Sequence, residues 1–589
     1  MVPILALFTG LLATLAGGRA PEPPPPTRAP AAAIRGNVLI LVADDLGIDQ
    51  LAAYGVAPDP APTPTLDLMA AVGVRFTNVW AEPTCSPTRA TIQTGRYAFR
   101  TTVGAAINAF GDVPSLPLSE VTLPEMLDLG TGGLYAHAAI GKWHLGSNET
   151  GGDFAPNLAG YSHFAGSLEG QIQNYFSWHR IVDGVPSTSR RYATTVCVDD
   201  ALAWIRLQSG PWLCVVNFQA PHAPFHRPPD GLHTQLLPPQ DPRPGCSVPG
   251  GDPRPFYKAT VEALDHEIGR LVTQLPAGQL QRTTVFFLGD NGTDPCVAGA
   301  PFAPQNKGTL YEGGVRVPLI VAGKGVTGRG TCDALVNTTD LFATVAELAR
   351  VDLAATLPGV TLDAVSFAPC LADPTLAGAR TWLYADSFAE NGPGNPPSLP
   401  PCPPGGVCQT SLGFDGPGTA VLASCGPPLY GAFGANLVPW QLSGAPPSAD
   451  AWLLIGAHAP TFQPQLGATL VPWPPTYFAH YVTDPSGTLA GTIWTADTTS
   501  ERNYQFVVRD ASLPRGYSVT NALEMELLPG YQRAVRDARY ALIRFDPCHE
   551  ELYDLVLDPF QHTDLLARTL SLEEAAVHNT LGARLDALH

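Results

Sequence analysis

The chain has 589 residues, too many for one ordinary core, and with 45% hydrophobic and 14% charged residues it has the composition of a globular protein rather than a disordered one. Its 33 basic and 52 acidic residues give a formal net charge of −19, which argues against a general binder of nucleic acids or anionic membranes. The 61 prolines and 58 glycines predict many loops and turns rather than a helical bundle.

The N-terminal segment MVPILALFTGLLATLAGGRA is an apolar run that ends in small residues, as secretory signal peptides do. It is short for a membrane span and is interrupted by Gly10, which favours a cleaved signal over an anchor. The stretch PEPPPPTRAP that follows is typical of a stiff spacer. We therefore expect a signal peptide at 1–20, a proline-rich spacer at 21–35, and a mature protein that is secreted or periplasmic and has no membrane span.

From about residue 36, apolar runs of strand length alternate with amphipathic helical segments. The segments NVLILVADD, AHAAIGKWHLG, PWLCVVNFQAPHAP and TTVFFLGDNG each contain an apolar run that stops at polar residues, and FYKATVEALDHEIGRLVTQL has helical spacing of its apolar positions. This alternation predicts an α/β domain over 36–395, with a mostly parallel sheet flanked by helices. In such sheets the ligand crevice lies beyond the carboxyl ends of the strands, so the polar residues that end these runs should converge.

The pattern changes after about residue 395. The segment NPPSLPPCPPGGVC indicates a linker, taken as 396–411, and short strand-like runs between glycine and proline turns predict an all-β, sandwich-like domain at 412–529. The tail at 530–589 then predicts a hairpin followed by a helix, a small C-terminal α+β subdomain. Because this tail looks like the end of the first domain, we interpret the β domain as an insertion.

The chain has 11 cysteines, an odd number that leaves at least one unpaired, and no CxxC spacing that would favour a zinc cluster. Cys85 lies in EPTCSPTRATIQTGRY, two residues before Pro87 and four before Arg89, in what the sequence indicates is a small, polar turn that exposes its thiol. On these residues alone, Cys85 could be half of a disulfide, a metal ligand, a nucleophile or the precursor of another group.

Two predicted strands end in oxygen-bearing side chains. Asp44 and Asp45 follow the first strand, where Gly47 would let the backbone turn, and Asp290 and Asn291 follow another in GDNG. Four oxygen donors without a His or Cys cluster favour Ca²⁺ or Mg²⁺ over Zn²⁺. Taken alone, Asp44-Asp45 is more often a helix N-cap, and Asp290-Asn291 more often a plain turn, than part of a metal site.

Cationic and imidazole side chains lie at comparable positions. Lys142 and His144 share one side of an extended segment in GKWHLG, His222 lies in the proline-rich APHAPFHRP, and Lys307 precedes a Gly-Gly turn in NKGTLYEGGVRVP. Such groups gathered at a metal site suit an anionic substrate whose oxygens gain charge during reaction. Each of them by itself is more often a surface or structural residue.

The segment CSPTR followed by TGRY resembles the signature of the type I, formylglycine-dependent sulfatases, which are arylsulfatase-like members of the alkaline-phosphatase-like superfamily. Further segments resemble that family in family order: Asp44-Asp45, GKWHLG, PHAPFHRP, GDNG, KGTLYEGGVRVPLI, LDAVSFAP and, near the C-terminus, ELYDLVLDP. The resemblance covers about residues 36–395 and 531–589. It implies an alkaline-phosphatase-like fold and hydrolysis of sulfate monoesters.

The resemblance also implies a set of residue roles. Cys85 would be converted to Cα-formylglycine by a formylglycine-generating maturation enzyme, and the calcium-bound hydrate would attack sulfur to give a covalent sulfo-enzyme intermediate. Arg89 and His144 would orient the hydrate, Lys142 and Lys307 would neutralise sulfate oxygens, and His222 would be the acid near the leaving oxygen. The implied ligands of Ca²⁺, with Mg²⁺ as the alternative ion, are Asp44, Asp45, Cys85, Asp290 and Asn291.

Two other functions remain open on the sequence. A phosphonate monoester or phosphodiester hydrolase of the same superfamily shares the fold and the formylglycine signature. An extracellular glycan-binding protein without activity would share the fold alone. For the sulfatase, the expected substrate is a sulfated small molecule or a sulfated carbohydrate.

Overall fold

The described part of the chain is given by a computed structural model. It comprises residues 35–239, 251–388, 391–393, 407–408, 410–423, 425–426, 429–430, 436–456, 459–472, 474–475, 477–495, 502–525, 531–546 and 549–588. The signal peptide expected at 1–20, nearly all of the spacer and most of the linker lie outside these residues. No helix in the described part is both long enough and apolar enough to cross a membrane.

Contacts divide the chain into two compact units. One comprises 1–395, 534–543 and 552–589, and the other comprises 396–533 and 544–551. The domain boundaries drawn from the sequence stay predictions.

The first unit is built on a ten-stranded sheet with the strand order β10-β2-β9-β8-β1-β7-β3-β4-β5-β6. Strands β8, β1, β7, β3 and β4 are parallel neighbours, whereas β9 is antiparallel to both β8 and β2, and β5 and β6 form an antiparallel edge. The strands of this unit up to residue 388, of which β11 lies outside the large sheet, are β1 Asn37–Ala43, β2 Val74–Trp80, β3 Ala136–Lys142, β4 His163–Ser167, β5 Trp178–Val182, β6 Val185–Ser189, β7 Trp212–Asn217, β8 Thr283–Gly289, β9 Leu319–Gly323, β10 Gly330–Asn337 and β11 Leu383–Phe388.

Helices cover both faces of this sheet. All seven side chains of β1 are buried, and they alternate between two hydrophobic cores: Leu39 and Leu41 pack with α1, α6 and α7, while Ile40 and Val42 pack with α2, α4 and α9. The α-helices are α1 Pro64–Val72, α2 Cys85–Thr94, α3 Ala98–Thr101, α4 Leu123–Thr131, α5 Ala155–Leu158, α6 Ala193–Arg206, α7 Arg254–Thr273, α8 Glu312–Val315, α9 Asp340–Leu348, α10 Leu353–Thr356, α11 Ala368–Ala372 and α12 Leu572–Ala587. The predicted mostly parallel sheet with flanking helices is confirmed.

The inserted residues form antiparallel sheets. In the second unit, one sheet has the order β13-β25-β23-β18-β21 with β24 on β23, and another has the order β14-β17-β16 with β22 on β17. Trp440 of β17 and Phe506 of β23 are buried in one core, so these two sheets pack face to face as the predicted sandwich-like domain. The strands are β12 Val407–Cys408, β13 Thr410–Gly413, β14 Val421–Ala423, β15 Cys425–Gly426, β16 Leu429–Tyr430, β17 Asn436–Ser443, β18 Asp450–Gly456, β19 Thr461–Gln463, β20 Ala468–Leu470, β21 Tyr477–Val482, β22 Leu489–Thr495, β23 Arg502–Arg509, β24 Tyr517–Val519 and β25 Ala522–Met525.

The C-terminal residues form a small α+β element. Strands β26 Tyr531–Arg536, β27 Tyr540–Asp546 and β28 His549–Asp554 continue a four-stranded sheet from β11 in the order β11-β26-β27-β28. Helix α12 buries Leu581 and Leu585 in a core that also contains Tyr97 and Tyr384. The expected α+β subdomain is therefore present, and it shares a core with the first part of the chain.

Candidate active site

Four adjacent strands carry polar residues at or just after their carboxyl ends. Asp44 follows β1, Lys142 is the last residue of β3, Asp290 follows β8, and His222 lies in the loop after β7. Because β8, β1, β7 and β3 are parallel neighbours, these ends lie along one edge of the sheet. The structure thus brings the residues together where the sequence analysis expected them.

Asp44 is at the centre of a fully buried charge cluster. Lys142 Nζ lies 2.5 Å from Asp44 Oδ2, and the Arg89 guanidinium lies 3.9 Å from Asp44 Oδ1 and 2.7 Å from Asp290 Oδ2. Arg89 also donates to the carbonyl of Lys142 at 3.1 Å. Each carboxylate therefore faces a cation. Burial nevertheless raises the pKa of Asp44 well above its usual value, against the attraction of Lys142.

Asp45 points into the same cluster because the backbone turns at this residue. Its φ of 64° is left-handed, so the two adjacent carboxylates no longer diverge as they would on a strand. Lys307 Nζ lies 2.6 Å from Asp45 Oδ1, Asn291 Nδ2 donates to the same oxygen at 2.8 Å, and His222 Nε2 lies 3.5 Å from Asp45 Oδ2.

The expected role of Gly47 in this turn is wrong. Its backbone is extended, with φ −74° and ψ 165°, so no left-handed conformation requires a glycine there. A Cβ at this position would instead lie 2.5 Å from Asp49 Oδ1 and 2.8 Å from Thr293 Oγ1. Gly47 is therefore needed for a close approach of side chains and not for the turn.

Cys85 does not lie in an exposed turn, so that prediction is wrong. It is the first residue of α2, and it is only 4% exposed because the whole CSPTR segment is buried at the start of this helix. Its Sγ lies 3.2 Å from His144 Nδ1, and His144 Nε2 lies 2.9 Å from the carbonyl of Ile107. A carbonyl can only accept, so Nε2 carries the hydrogen and, in the neutral ring, Nδ1 faces the thiol as an acceptor.

Ser86 is a supporting residue that the sequence analysis missed, although it lies in CSPTR itself. Its hydroxyl donates to the carbonyl of His144 at 2.8 Å and accepts from the backbone N–H of Ile107 at 3.1 Å. Ser86 thereby holds both the His144 backbone and the segment that binds the His144 ring. Its position directly after Cys85 was the available signal.

Burial sets the protonation of the groups around Cys85. It raises the pKa of the Cys85 thiol above its usual value, against the attraction of Lys142. Burial, with the nearby charges of Lys142 and Arg89, lowers the pKa of His144 well below its usual value. The thiol and the imidazole are therefore both neutral near pH 7.

The pair formed by Asp45 and Lys307 stays ionised. Burial opposes the charge on Asp45, but His222, which is protonated at the acid pH where this carboxyl titrates, and Lys307 outweigh it and lower the pKa of this carboxyl to about 2. Asp45 likewise raises the pKa of Lys307 above its usual value, although burial acts against the charge. Burial lowers the pKa of His222 to about 3, so this ring is neutral in the absence of a further anion.

The donor atoms fit a hard divalent cation. Asp44 Oδ1 and Asn291 Oδ1 are buried and accept no hydrogen bond among the described residues, which is costly unless another group binds them. Asp44, Asp45 and His222 are the one group of three metal-binding side chains that the described part of the chain brings within 4.8 Å. Carboxylate and amide oxygens are the donors that Ca²⁺ and Mg²⁺ prefer.

Known proteins resemble this chain in both sequence and fold. A family model described as Sulfatase matches residues 36–351. The chain is 31% identical over 415 residues to arylsulfatase A of Bos taurus, covering 65% of this chain and 75% of that protein. It is also 31% identical over 386 residues to N-acetylgalactosamine-6-sulfatase of Rattus norvegicus, covering 59% of this chain and 65% of that protein.

Solved structures share the fold at lower identity. The structure of BT4656 in complex with its substrate D-glucosamine-2-N,6-O-disulfate has a TM-score of 0.55 at 16% identity and covers 94% of this chain and 97% of that one. Ps i-CgsB in complex with k-i-k-neocarrahexaose has a TM-score of 0.51 at 21% identity and covers 70% of this chain and 86% of that one. The first of these similarities extends over nearly the whole chain.

Proposed function

Because this chain belongs to the sulfatase family and is a sulfuric ester hydrolase, we propose that it hydrolyses sulfate monoesters by means of a Cα-formylglycine formed from Cys85 and a bound calcium ion. The observation that carries the proposal is the position of Cys85 at the start of α2. Its Sγ lies beside His144 and within the charge field of Asp44, Lys142 and Lys307. A neutral, buried thiol is a poor nucleophile, so this position suits the precursor of another group.

The oxygen donors and the matured residue would hold the ion. When present, Ca²⁺ and the formylglycine hydrate together supply an acidified hydroxyl that acts as the nucleophile toward sulfur. Mg²⁺ suits the same oxygen donors. The proposed ligands are Asp44, Asp45, Asp290, Asn291 and the residue formed from Cys85.

The cationic residues would bind the sulfate group and hold residue 85. Lys142 contacts Asp44 and Lys307 contacts Asp45, and both lysines can share their positive charge with sulfate oxygens. Arg89, four residues after Cys85 on the same helix, and His144 would fix the orientation of the matured side chain. These groups are already in place, so little reorganisation is needed when charge develops.

His222 is the proposed acid for the leaving oxygen. Its ring is held by a contact of 2.7 Å between Nδ1 and the carbonyl of Ala223, which leaves Nε2 directed toward Asp45. An anionic sulfate ester bound nearby would favour protonation of the ring, against the effect of burial. The protonated imidazole could then donate to the departing alcohol.

We propose a sulfated carbohydrate or a sulfated small molecule as the substrate. The relatives include an N-acetylgalactosamine-6-sulfatase, and a structural neighbour is in complex with a disulfated glucosamine.

Maturation of Cys85 would require a formylglycine-generating enzyme and would have to precede folding, since the folded chain exposes only 4% of this residue. The proposed location is secreted or periplasmic.

The test compares two substrates on one preparation. The protein is purified with calcium from a host that matures Cys85, and turnover of an aryl sulfate is measured against turnover of an aryl phosphonate monoester. The expected result is dominant sulfate turnover, lost in Cys85→Ala. Dominant phosphonate turnover would replace the substrate class, and no turnover of either by protein with matured Cys85 would favour the glycan-binding alternative.

We also propose the domain division drawn from the sequence: a catalytic domain at 36–395 completed by 530–589, a linker at 396–411, and an inserted β domain at 412–529. Limited proteolysis tests it. First cuts within 396–411 would support the division, and first cuts inside 36–395 would contradict it.

A further inference from the structure

Lys307 lies in a loop that runs from Pro301 to Glu312, here called the lysine loop. Unlike Lys142, Lys307 is not part of a strand of the sheet. The backbone N–H of Lys307 donates to the carbonyl of Thr293 at 3.1 Å, and the next N–H donates to the carbonyl of Pro83 at 2.9 Å. Within the loop, the backbone N–H of Thr309 donates to the carbonyl of Asn306 at 3.1 Å, and further contacts come from the C-terminal part of the chain.

Gln561 binds the lysine loop on both sides of Lys307. Its backbone carbonyl accepts from Gln305 Nε2 at 3.0 Å, and its side-chain Oε1 accepts from the backbone N–H of Glu312 at 2.5 Å. Gln561 is 1% exposed. One residue, about 250 positions away in sequence, therefore holds the segment that carries Lys307 at two points.

The backbone of Gln561 is held in an unfavourable conformation. Its φ of 57° is left-handed, which is unfavourable for a residue with a side chain and persists only where surrounding contacts enforce it. The neighbours of Gln561 supply such contacts. The rings of Phe560 and Phe302 lie 5.3 Å apart, and His562 Nε2 lies 3.0 Å from the carbonyl of Pro301.

The end of the loop at Glu312 is anchored as well. The buried Glu312 carboxylate accepts from Trp80 Nε1 at 2.8 Å and from Arg536 Nη1 at 2.9 Å. Trp80 belongs to the large sheet, and Arg536 belongs to β26 of the C-terminal sheet. The backbone of Glu312 is therefore a fixed point to which Gln561 ties the loop.

We propose that Gln561 is a positioning residue that holds the lysine loop and thereby places Lys307 against Asp45 and the sulfate group. The part that concerns sulfate rests on the proposed function of Lys307. The part that concerns the loop rests on the hydrogen bonds alone. The C-terminal segment thus supports the active site through Lys307 without touching the substrate.

The first test measures the loop itself by hydrogen–deuterium exchange on the full chain. Gln561→Met keeps the length of the side chain and removes the acceptor for the N–H of Glu312. The matched control is Leu585→Ala, which leaves a cavity in the C-terminal core without touching the lysine loop. We expect exchange at 305–312 to rise about ten-fold in Gln561→Met and to stay unchanged in Leu585→Ala.

The second test asks whether Gln561 acts through Lys307. On an aryl sulfate, Gln561→Met is expected to lower kcat/KM roughly ten-fold and to weaken inhibition by inorganic sulfate by a similar factor, because a displaced cation binds both less well. In a Lys307→Ala background the same change should lower kcat/KM less than about two-fold. Leu557→Ala, an exposed change in the same segment, should leave both constants as in wild type.

The outcomes separate this proposal from the proposed function. Unchanged exchange in Gln561→Met, or equal exchange in Leu585→Ala, would overturn the positioning role whatever the enzyme hydrolyses. Effects of Gln561→Met and Lys307→Ala that multiply in the double variant would also overturn it. Raised exchange in a protein that does not turn over aryl sulfate would support the positioning role of Gln561 and would reject only the proposed substrate.

Discussion

The two lysines of the site are supported in different ways. Lys142 is the last residue of a central strand, and the hydrogen bonds around it extend the sheet: Asp44 N–H donates to the carbonyl of Ala220 at 3.1 Å, and Asp290 N–H to that of Ala43 at 3.0 Å. Lys307 lies in a loop that the backbone carbonyl and the side chain of Gln561 hold from the C-terminal segment. One lysine is thus placed by a strand of the sheet, and the other by a loop that long-range backbone and side-chain contacts hold.

The carboxylates that face the two lysines differ as well. Apart from Lys142, Asp44 has one cation at 3.9 Å, that of Arg89, and an oxygen that accepts no hydrogen bond among the described residues. Asp45 keeps Asn291 at 2.8 Å and His222 at 3.5 Å if Lys307 is removed. On the strand side, that of Lys142, Asp44 therefore has one close ion pair and a longer contact with Arg89. On the loop side, that of Lys307, Asp45 distributes its charge over several partners.

The largest expected effect comes from replacing each lysine by methionine in turn. Lys142→Met leaves the buried Asp44 without its close cation, and we expect a loss of about 3–5 kcal/mol in the free energy of unfolding. Lys307→Met leaves Asp45 with a hydrogen bond and a neutral ring, so the expected loss is smaller, about 1–3 kcal/mol. Urea unfolding of the calcium-free protein measures both.

The control removes the charge on the other side of the first pair. Asp44→Asn combined with Lys142→Met should recover part of the lost stability, because no unpaired ion of that pair remains buried. Equal losses in the two single variants would mean that the two sides of the site do not differ in their support.

Calcium binding gives the next effect, and it should depend on the proposed ligand Asp44 but not on Lys307. At a calcium concentration of about 100 times Kd, binding to the native state adds about 2.7 kcal/mol and raises Tm. We expect this rise to disappear in Asp44→Asn and to persist in Lys307→Met, where a competing cation has been removed from Asp45. Thermal unfolding with and without chelator measures it on protein whose Cys85 has not been matured.

The opposite pattern would contradict the assignment of the ligands. A rise in Tm that survives Asp44→Asn and is lost in Lys307→Met would place the ion on the loop side. Asp67→Asn, a carboxylate on α1 rather than in the site, serves as the control for a general effect of charge.

The strand side could be predicted from the sequence because its signals are local. Apolar runs that end in Asp44-Asp45, GKWH and GDNG mark strands and their carboxyl ends, and parallel pairing brings those ends together. The prediction of an exposed turn at CSPTR was wrong. Small polar residues are typical of a turn, and the sequence does not show that other segments bury them. The role expected of Gly47 was also wrong, because the distant Thr293 sets it.

On the loop side, the sequence predicts the lysine itself but not the contacts that hold it in place. Lys307 was identified from its motif, but the support by Gln561 joins residues about 250 positions apart. No periodicity or turn signal specifies such a pair. A left-handed backbone is usually predicted from a glycine, so the sequence gives no sign of it at Gln561. Tertiary contacts decide this side of the site.

Asp265 is a buried carboxylate that has no ion pair with a cation among the described residues, and its replacement should give the smallest effect. Asp265 accepts from the backbone N–H groups of Thr65 and Leu66 at 3.0 and 2.8 Å, and burial raises its pKa to about 6 from an ordinary 3.8. The native state therefore holds a proton that the unfolded chain has released between these pH values. Its stability falls as pH rises through them, by about 3 kcal/mol in all.

Asp265→Asn removes this titration and one hydrogen-bond acceptor, the latter costing about 1 kcal/mol. The variant should be about 1 kcal/mol less stable than wild type below pH 3.8 and about 2 kcal/mol more stable at pH 7, a change of sign that urea unfolding at the two pH values detects. Asp44→Asn at pH 7 in calcium should show the opposite sign, because this variant loses a proposed ligand of the ion. A pH-independent difference for Asp265→Asn would mean that backbone N–H groups alone stabilise a buried carboxylate as well as a lysine does.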